Sequence, residues 1–94
     1  MKTFYLVQKR ENHNPAAAAE MRLNGVDPDG WKFCEAYPLG HYGEAMETAE
    51  MLKRTHAQVC AQHKSEKTCF YRVEKIEVDP DTTLSDVYYF ESAA

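Results

Sequence analysis

Cysteine is scarce and unevenly counted. Three in 94 residues, at no framework spacing, exclude a small disulfide-stapled scaffold and argue for thiols in a reducing compartment. Glycine and proline number four each, which excludes collagenous and low-complexity linker classes. Long apolar runs are missing, so no segment is expected to span a bilayer. Phe4 to Val7 is too short for the core of a signal peptide and sits in strand-like surroundings. Positive charge is not in excess: 11 basic against 15 acidic residues give −4, which removes any general attraction to nucleic acid or anionic membrane. Walker A, GxGxxG, HExxH, paired CxxC and GxSxG patterns are all missing. These absences point to a non-enzymatic, cofactor-free protein of the cytoplasm, which for a viral product means the host cytoplasm.

What the chain does have is one long helical pattern, Tyr42 to Lys64. Ala45, Ala49, Leu52, His56, Val59 and His63 recur at steps of four and three, with Met46 and Cys60 beside them, as on one helix face. Glu44, Glu47 and Glu50 occupy the first half and Lys53, Arg54 and Lys64 the second, as the helix macrodipole favours. His41 or Gly43 fits the N-cap, with Glu44 three residues beyond His41 as in a capping box.

The remainder reads as short elements. Lys2 to Lys9 is strand-like and apolar on both faces, Phe4 and Leu6 against Tyr5 and Val7, which marks a strand covered on both sides. Asn14-Pro15 opens a short helix over 15–23 that Asn24-Gly25 ends. After a turn at 26–30, a second strand runs from Trp31 to Tyr37, with Trp31, Phe33 and Tyr37 on one face and Lys32, Cys34 and Ala36 on the other. Pro38-Leu39-Gly40 turns the chain into the long helix. Thr68 to Val78 is a third strand whose apolar phase changes midway, so a β-bulge is expected near Glu74-Lys75. Asp86 to Phe90 reads as a short fourth strand. The competing reading is a helical turn capped by Thr83, because Thr83 and Asp86 have capping-box spacing. The expected fold is α+β in one domain, 1–94: about four mainly antiparallel strands, the long amphipathic helix across one face and the short N-terminal helix beside it.

Several residue groups suggest chemistry. His56, Cys60 and His63 share one side of the helix, and Cys69 follows closely; imidazole and thiolate suit zinc or copper. H-x3-C-x2-H is not an established zinc spacing, and a buried thiol with edge histidines explains the residues as well. As a nucleophile pair the same residues sit at the wrong end of the helix dipole. Asp27-x-Asp29-Gly30 lacks the remaining ligands of a calcium loop. Glu44, Glu47 and Glu50, and separately Glu74, Glu77, Asp79 and Asp81, form acidic edges that could imitate nucleic-acid phosphates before a basic partner. Lys32, Arg72 and Lys75 lie among sheet aromatics, as in single-strand binders, although the negative balance speaks against nucleic acid as a partner.

The leading expectation is therefore a protein-interaction module that binds and modulates a larger protein or complex. Phage-encoded inhibitors of host defence, anti-CRISPR-like in kind, share this small, acidic, motif-free profile. A metal-binding or metal-sensing protein built on the His/Cys group and a single-stranded nucleic-acid binder are the alternatives. Aromatic residues are the usual anchors of binding surfaces. The interaction residues selected are Tyr5, Trp31, Tyr71, Tyr88, Tyr89 and Phe90, with Glu44 and Glu47 at the acidic edge. The second sheet face, with the 88–90 tail, is the expected interface, and a homodimer the expected assembly.

Overall fold

The structure, a computed structural model, describes residues 1–62 and 69–93. Its elements run β1 (Lys2–Glu11), α1 (Pro15–Leu23), β2 (Lys32–Pro38), α2 (Tyr42–Gln62), β3 (Cys69–Val78) and α3 (Leu84–Ala93). The three strands form one antiparallel sheet in the order β2-β1-β3. The expected four strands and two helices are thus corrected to three strands and three helices among the described residues.

β1 is the central strand, and its sequence explains why. Phe4 and Leu6 are buried in one cluster with Ala36 and Val87, and Val7 is buried in another with Ala45 and Ala49. Successive side chains point to opposite faces, so a strand apolar on both sides needs a cover on each. α2 supplies one through its small residues, and alanine at 45 and 49 lets the helix approach closely. α3 supplies the other through Val87 and Tyr88.

The tail at 86–90 is a helix because its start is fully capped. The Thr83 N–H donates to the Asp86 carboxylate at 2.9 Å, and the Asp86 N–H donates to the Thr83 hydroxyl at 3.1 Å. This reciprocal pair satisfies two helix-end donors that a strand would not have to provide for. Helix geometry then places Val87 inward while Tyr89 and Phe90 point away.

The bulge expected near Glu74-Lys75 does not occur, and an irregularity lies instead between β1 and β2. β3 pairs with β1 without interruption, whereas the β1–β2 register shifts between Val7 and Gln8, where Glu35 and Phe33 are the partners. Cys34 is the extra residue. It moves Phe33 to the α3 side and leaves Cys34 and Tyr37 on the α2 side, so Trp31, Phe33 and Tyr37 do not share a face. The phase change along β3 has another origin. Tyr71 and Val73 pack against α2, while Ile76 and Val78 pack toward α3. α2 covers the strand on one face, while on the other Ile76 and Val78 border the Phe4–Leu6–Val87 cluster without lying under α3.

The long helix keeps its predicted position. His41 precedes it, and the His41 carbonyl accepts the Ala45 N–H at 3.1 Å. Glu44 reaches back to the His41 ring at 3.0 Å. Among its described side chains Ala45 and Ala49 are the buried ones; Leu52 and His56 are half-buried, and Met46 and Val59 are exposed at 40% and 47%. α1 forms where expected, with the Asn14 side chain accepting the Ala17 N–H at 2.8 Å and Gly25 at φ +76° after its end. Among the described residues it packs against no other element, and it contains no buried residue, so it does not lie beside the long helix on the sheet.

Two outcomes follow for stability. Leu6→Ala should cost about 2–5 kcal/mol in urea denaturation because it empties a closed site, while Leu23→Ala, 88% exposed on α1, should stay within about 0.5 kcal/mol. Equal losses would contradict this division between core and periphery. Asp86 also carries a pH signature. The backbone and side-chain hydrogen bonds from Thr83 hold its carboxyl below the usual range. A lowered folded-state value adds stability above the unfolded value that is lost as pH falls through the folded one. Thr83→Ala should therefore narrow the gap in melting temperature between neutral and acidic pH; an unchanged gap would show that the cap contributes nothing to it.

Candidate functional site

α3 lies over β2 and not over the middle of its face, and this offset creates two hollows. The first is a groove of about 370 Å³ between α3 and the edge strand β3. Ile76, Val78, Val87 and Phe90 give it an apolar floor and wall, and Glu77, Asp79 and Glu91 stand around it. Phe90 is 66% exposed and Tyr89 73%, and their rings meet edge to face at 5.7 Å. The second is a cleft of about 440 Å³ at the other end of α3, lined by Trp31, Phe33, Gln8, Lys32, Glu91 and Ser92.

Tyr88 holds α3 in this offset position. Its hydroxyl donates to the Glu35 carboxylate and accepts the Ala36 N–H at 3.2 Å. Its ring meets Phe33 edge to face at 5.3 Å. Burial pushes the phenol above its ordinary value, so the hydroxyl keeps the proton it donates.

Beyond the cleft no helix among the described residues lies over this face of the sheet. Arg10 and Arg72 gather there around aromatic rings. The Arg72 guanidinium carbon is 4.2 Å from the Trp31 ring centre, and that of Arg10 is 5.2 Å from both Trp31 and Phe70. Arg72 Nε donates to Gln8 Oε1 at 2.9 Å, and its terminal nitrogen pairs with Glu74 at 2.6 Å.

The residues selected from sequence are dispersed over several places. Tyr5 and Tyr71 are half-buried beneath α2, where Tyr5 meets Tyr42 edge to face at 5.1 Å. Tyr88 faces inward as an anchor, so only Tyr89 and Phe90 of the tail are presented outward. Glu44 and Glu47 are exposed on α2, the helix that covers the opposite sheet face. Trp31 belongs to the arginine cluster. Cys60 Sγ lies 3.2 Å from His56 Nε2; His63 is outside the described residues. Among the described residues no three His, Cys, Asp or Glu side chains gather as a metal site, and no helix is long and apolar enough to cross a membrane. Burial raises the Cys34 thiol, with Lys9 acting in the opposite sense, so Cys34 is not set up as a nucleophile.

No protein-family model, characterised protein or solved structure matches the chain. The groove was not visible from sequence because it depends on where α3 lands. Arg10 was overlooked too, although its even spacing from Gln8 and Leu6 was a usable signal.

Tyr88→Phe keeps the ring and removes the hydroxyl. Leaving the half-buried Glu35 and the buried Ala36 N–H unmet should cost about 1–3 kcal/mol in chemical denaturation. No loss would mean that the hydroxyl does not position α3.

Proposed function

We propose that the protein is a non-enzymatic binding module whose groove between α3 and β3 takes a basic, apolar-anchored segment of a larger protein and so modulates that protein. The observation that carries this reading is the outward-facing Phe90 at an apolar groove bordered by Glu77, Asp79 and Glu91. Exposed aromatics beside an apolar hollow are the usual anchors of protein recognition. Acidic borders select lysine- or arginine-bearing partners and repel acidic ones. The acidic imitation of phosphates expected from the 74–81 run fits the same partner chemistry.

A second copy of the chain suits this groove less well. A two-fold interface sets each patch against itself, which would bring the two acidic borders together. The thiol-bearing, acidic composition fits a cytoplasmic setting.

The test uses a short alternating lysine–leucine peptide and its glutamate–leucine counterpart, followed by NMR. The lysine peptide should shift the signals of Ile76, Val78 and Val87, and Phe90→Ala should weaken it by about tenfold, or about 1.4 kcal/mol, with unchanged folding stability. Equal binding of the glutamate peptide, indifference to Phe90→Ala, or occupation of the groove by a second copy in light scattering would each contradict the reading.

A further inference from the structure

The arginine–aromatic end adjoins the docking groove only at Glu91, which lines both hollows, and it carries a separate chemistry. Arg72 is satisfied within the chain, by Gln8 on one side and Glu74 on the other. Arg10 is not. Its guanidinium contacts the rings of Trp31 and Phe70, and among the described residues it makes no ion pair or hydrogen bond. In a chain with 15 acidic residues, a half-buried arginine without a carboxylate is conspicuous. Ring contacts restrict the guanidinium plane while leaving its N–H donors available, a geometry suited to phosphate oxygens.

The adjoining cleft adds the second half of a site. Trp31 and Phe33 give it aromatic walls. Gln8, nine-tenths buried, lines it as well. Because Arg72 Nε can only donate, the Gln8 atom it meets is the carbonyl oxygen. The Gln8 amide N–H donors therefore remain without a partner among the described residues. Glu91 and Ser92 contribute an acceptor and a hydroxyl, and Lys32 a second cation without an ion pair among the described residues. Donors and acceptors together beside aromatic walls match the edge and face of a nucleobase. A bare carboxylate would use Arg10 and leave the cleft idle.

We infer that this uncovered end of the sheet binds a nucleotide unit, its phosphate on Arg10 and its base against Trp31 in the cleft bordered by Gln8 and Glu91. The unit can come from a free mononucleotide or from an unpaired strand; stacked duplex bases cannot enter. Arg10 and Lys32 supply the local positive charge at this end, away from Glu77 and Asp79; of the acids here Glu74 is neutralised by Arg72, and Glu91 stands in the cleft as an acceptor for the base. With two cations engaged, a single strand should show a shallow salt slope of about −1.4 in log K against log salt.

Trp31 is the only tryptophan, so its fluorescence reports directly on the site. The full chain is titrated with adenosine monophosphate, a deoxythymidine octamer, inorganic phosphate and hexaglutamate. Adenosine monophosphate should quench Trp31 saturably. Tighter binding of the octamer would assign the unit to a single strand, and equal or weaker binding to a free nucleotide. Arg10→Gln, with its folded state verified by circular dichroism, should weaken binding at least about tenfold, and Phe90→Ala should leave it unchanged. The proposal is overturned if neither nucleotide probe quenches up to about 10 mM, well above the range of a specific site. It is also overturned if Arg10→Gln binds as well as the parent, or if phosphate or hexaglutamate binds as tightly as the nucleotides.

Discussion

The structure depends on the burial of β1 from both sides. Phe4, Leu6 and Val7 are almost fully enclosed, and together they demand two covers from a chain with only one long helix. Full burial of each such side chain is worth about 1.5–3 kcal/mol, so a sheet with one face bare would forfeit much of the stability of so small a domain. The capped tail answers that demand. Thr83 and Asp86 start the helix, Val87 fills the space over Phe4 and Leu6, and Tyr88 fastens it to β2.

The covering is economical and leaves two openings. A ten-residue helix placed over β2 cannot also cover β3 or the far end of the sheet. The groove beside β3 inherits acidic residues from the β3 end and the following turn. The far end inherits the cations of β1 and β2. Acids border the apolar groove and arginines stand beside the aromatic rings, with Glu91 shared between the two hollows and Glu74 paired to Arg72, although the total is only mildly negative. A single figure for net charge conceals this arrangement.

Much of the fold was legible where local signals agreed. Asn14-Pro15 and Asn24-Gly25 bracket α1, and the Ala45–Ala49–Leu52 stripe marks α2. The demand for a second cover was also legible in Phe4 and Leu6 opposing Tyr5 and Val7. The tail was misread because Val87, Tyr88, Tyr89 and Phe90 are all strand-favouring side chains, and their propensity outweighed the Thr83–Asp86 spacing that decides the matter. The phase change in β3 was read as a local irregularity when the strand is regular, with Tyr71 and Val73 serving the α2 face at one end and Ile76 and Val78 the Phe4–Leu6–Val87 cluster at the other. The Cys34 bulge has no marker in the sequence, since neither glycine nor a special turn residue accompanies it. Of the selected site residues, Tyr89 and Phe90 are presented outward, whereas Tyr5, Tyr71 and Tyr88 are taken up by the packing; solvent exposure of an aromatic is settled by tertiary placement, which composition does not encode.

Everything proposed for the two openings rests on α3 being a helix seated over β2. Proton–proton NMR contacts from the Val87 methyls test this most directly. The account predicts contacts from Val87 to the Phe4 ring and the Leu6 methyls, together with contacts between the Tyr88 and Phe33 rings, and no contact from Phe90 to Phe4. Strand-type contacts between the backbone of residues 86–90 and either β2 or β3 would contradict it.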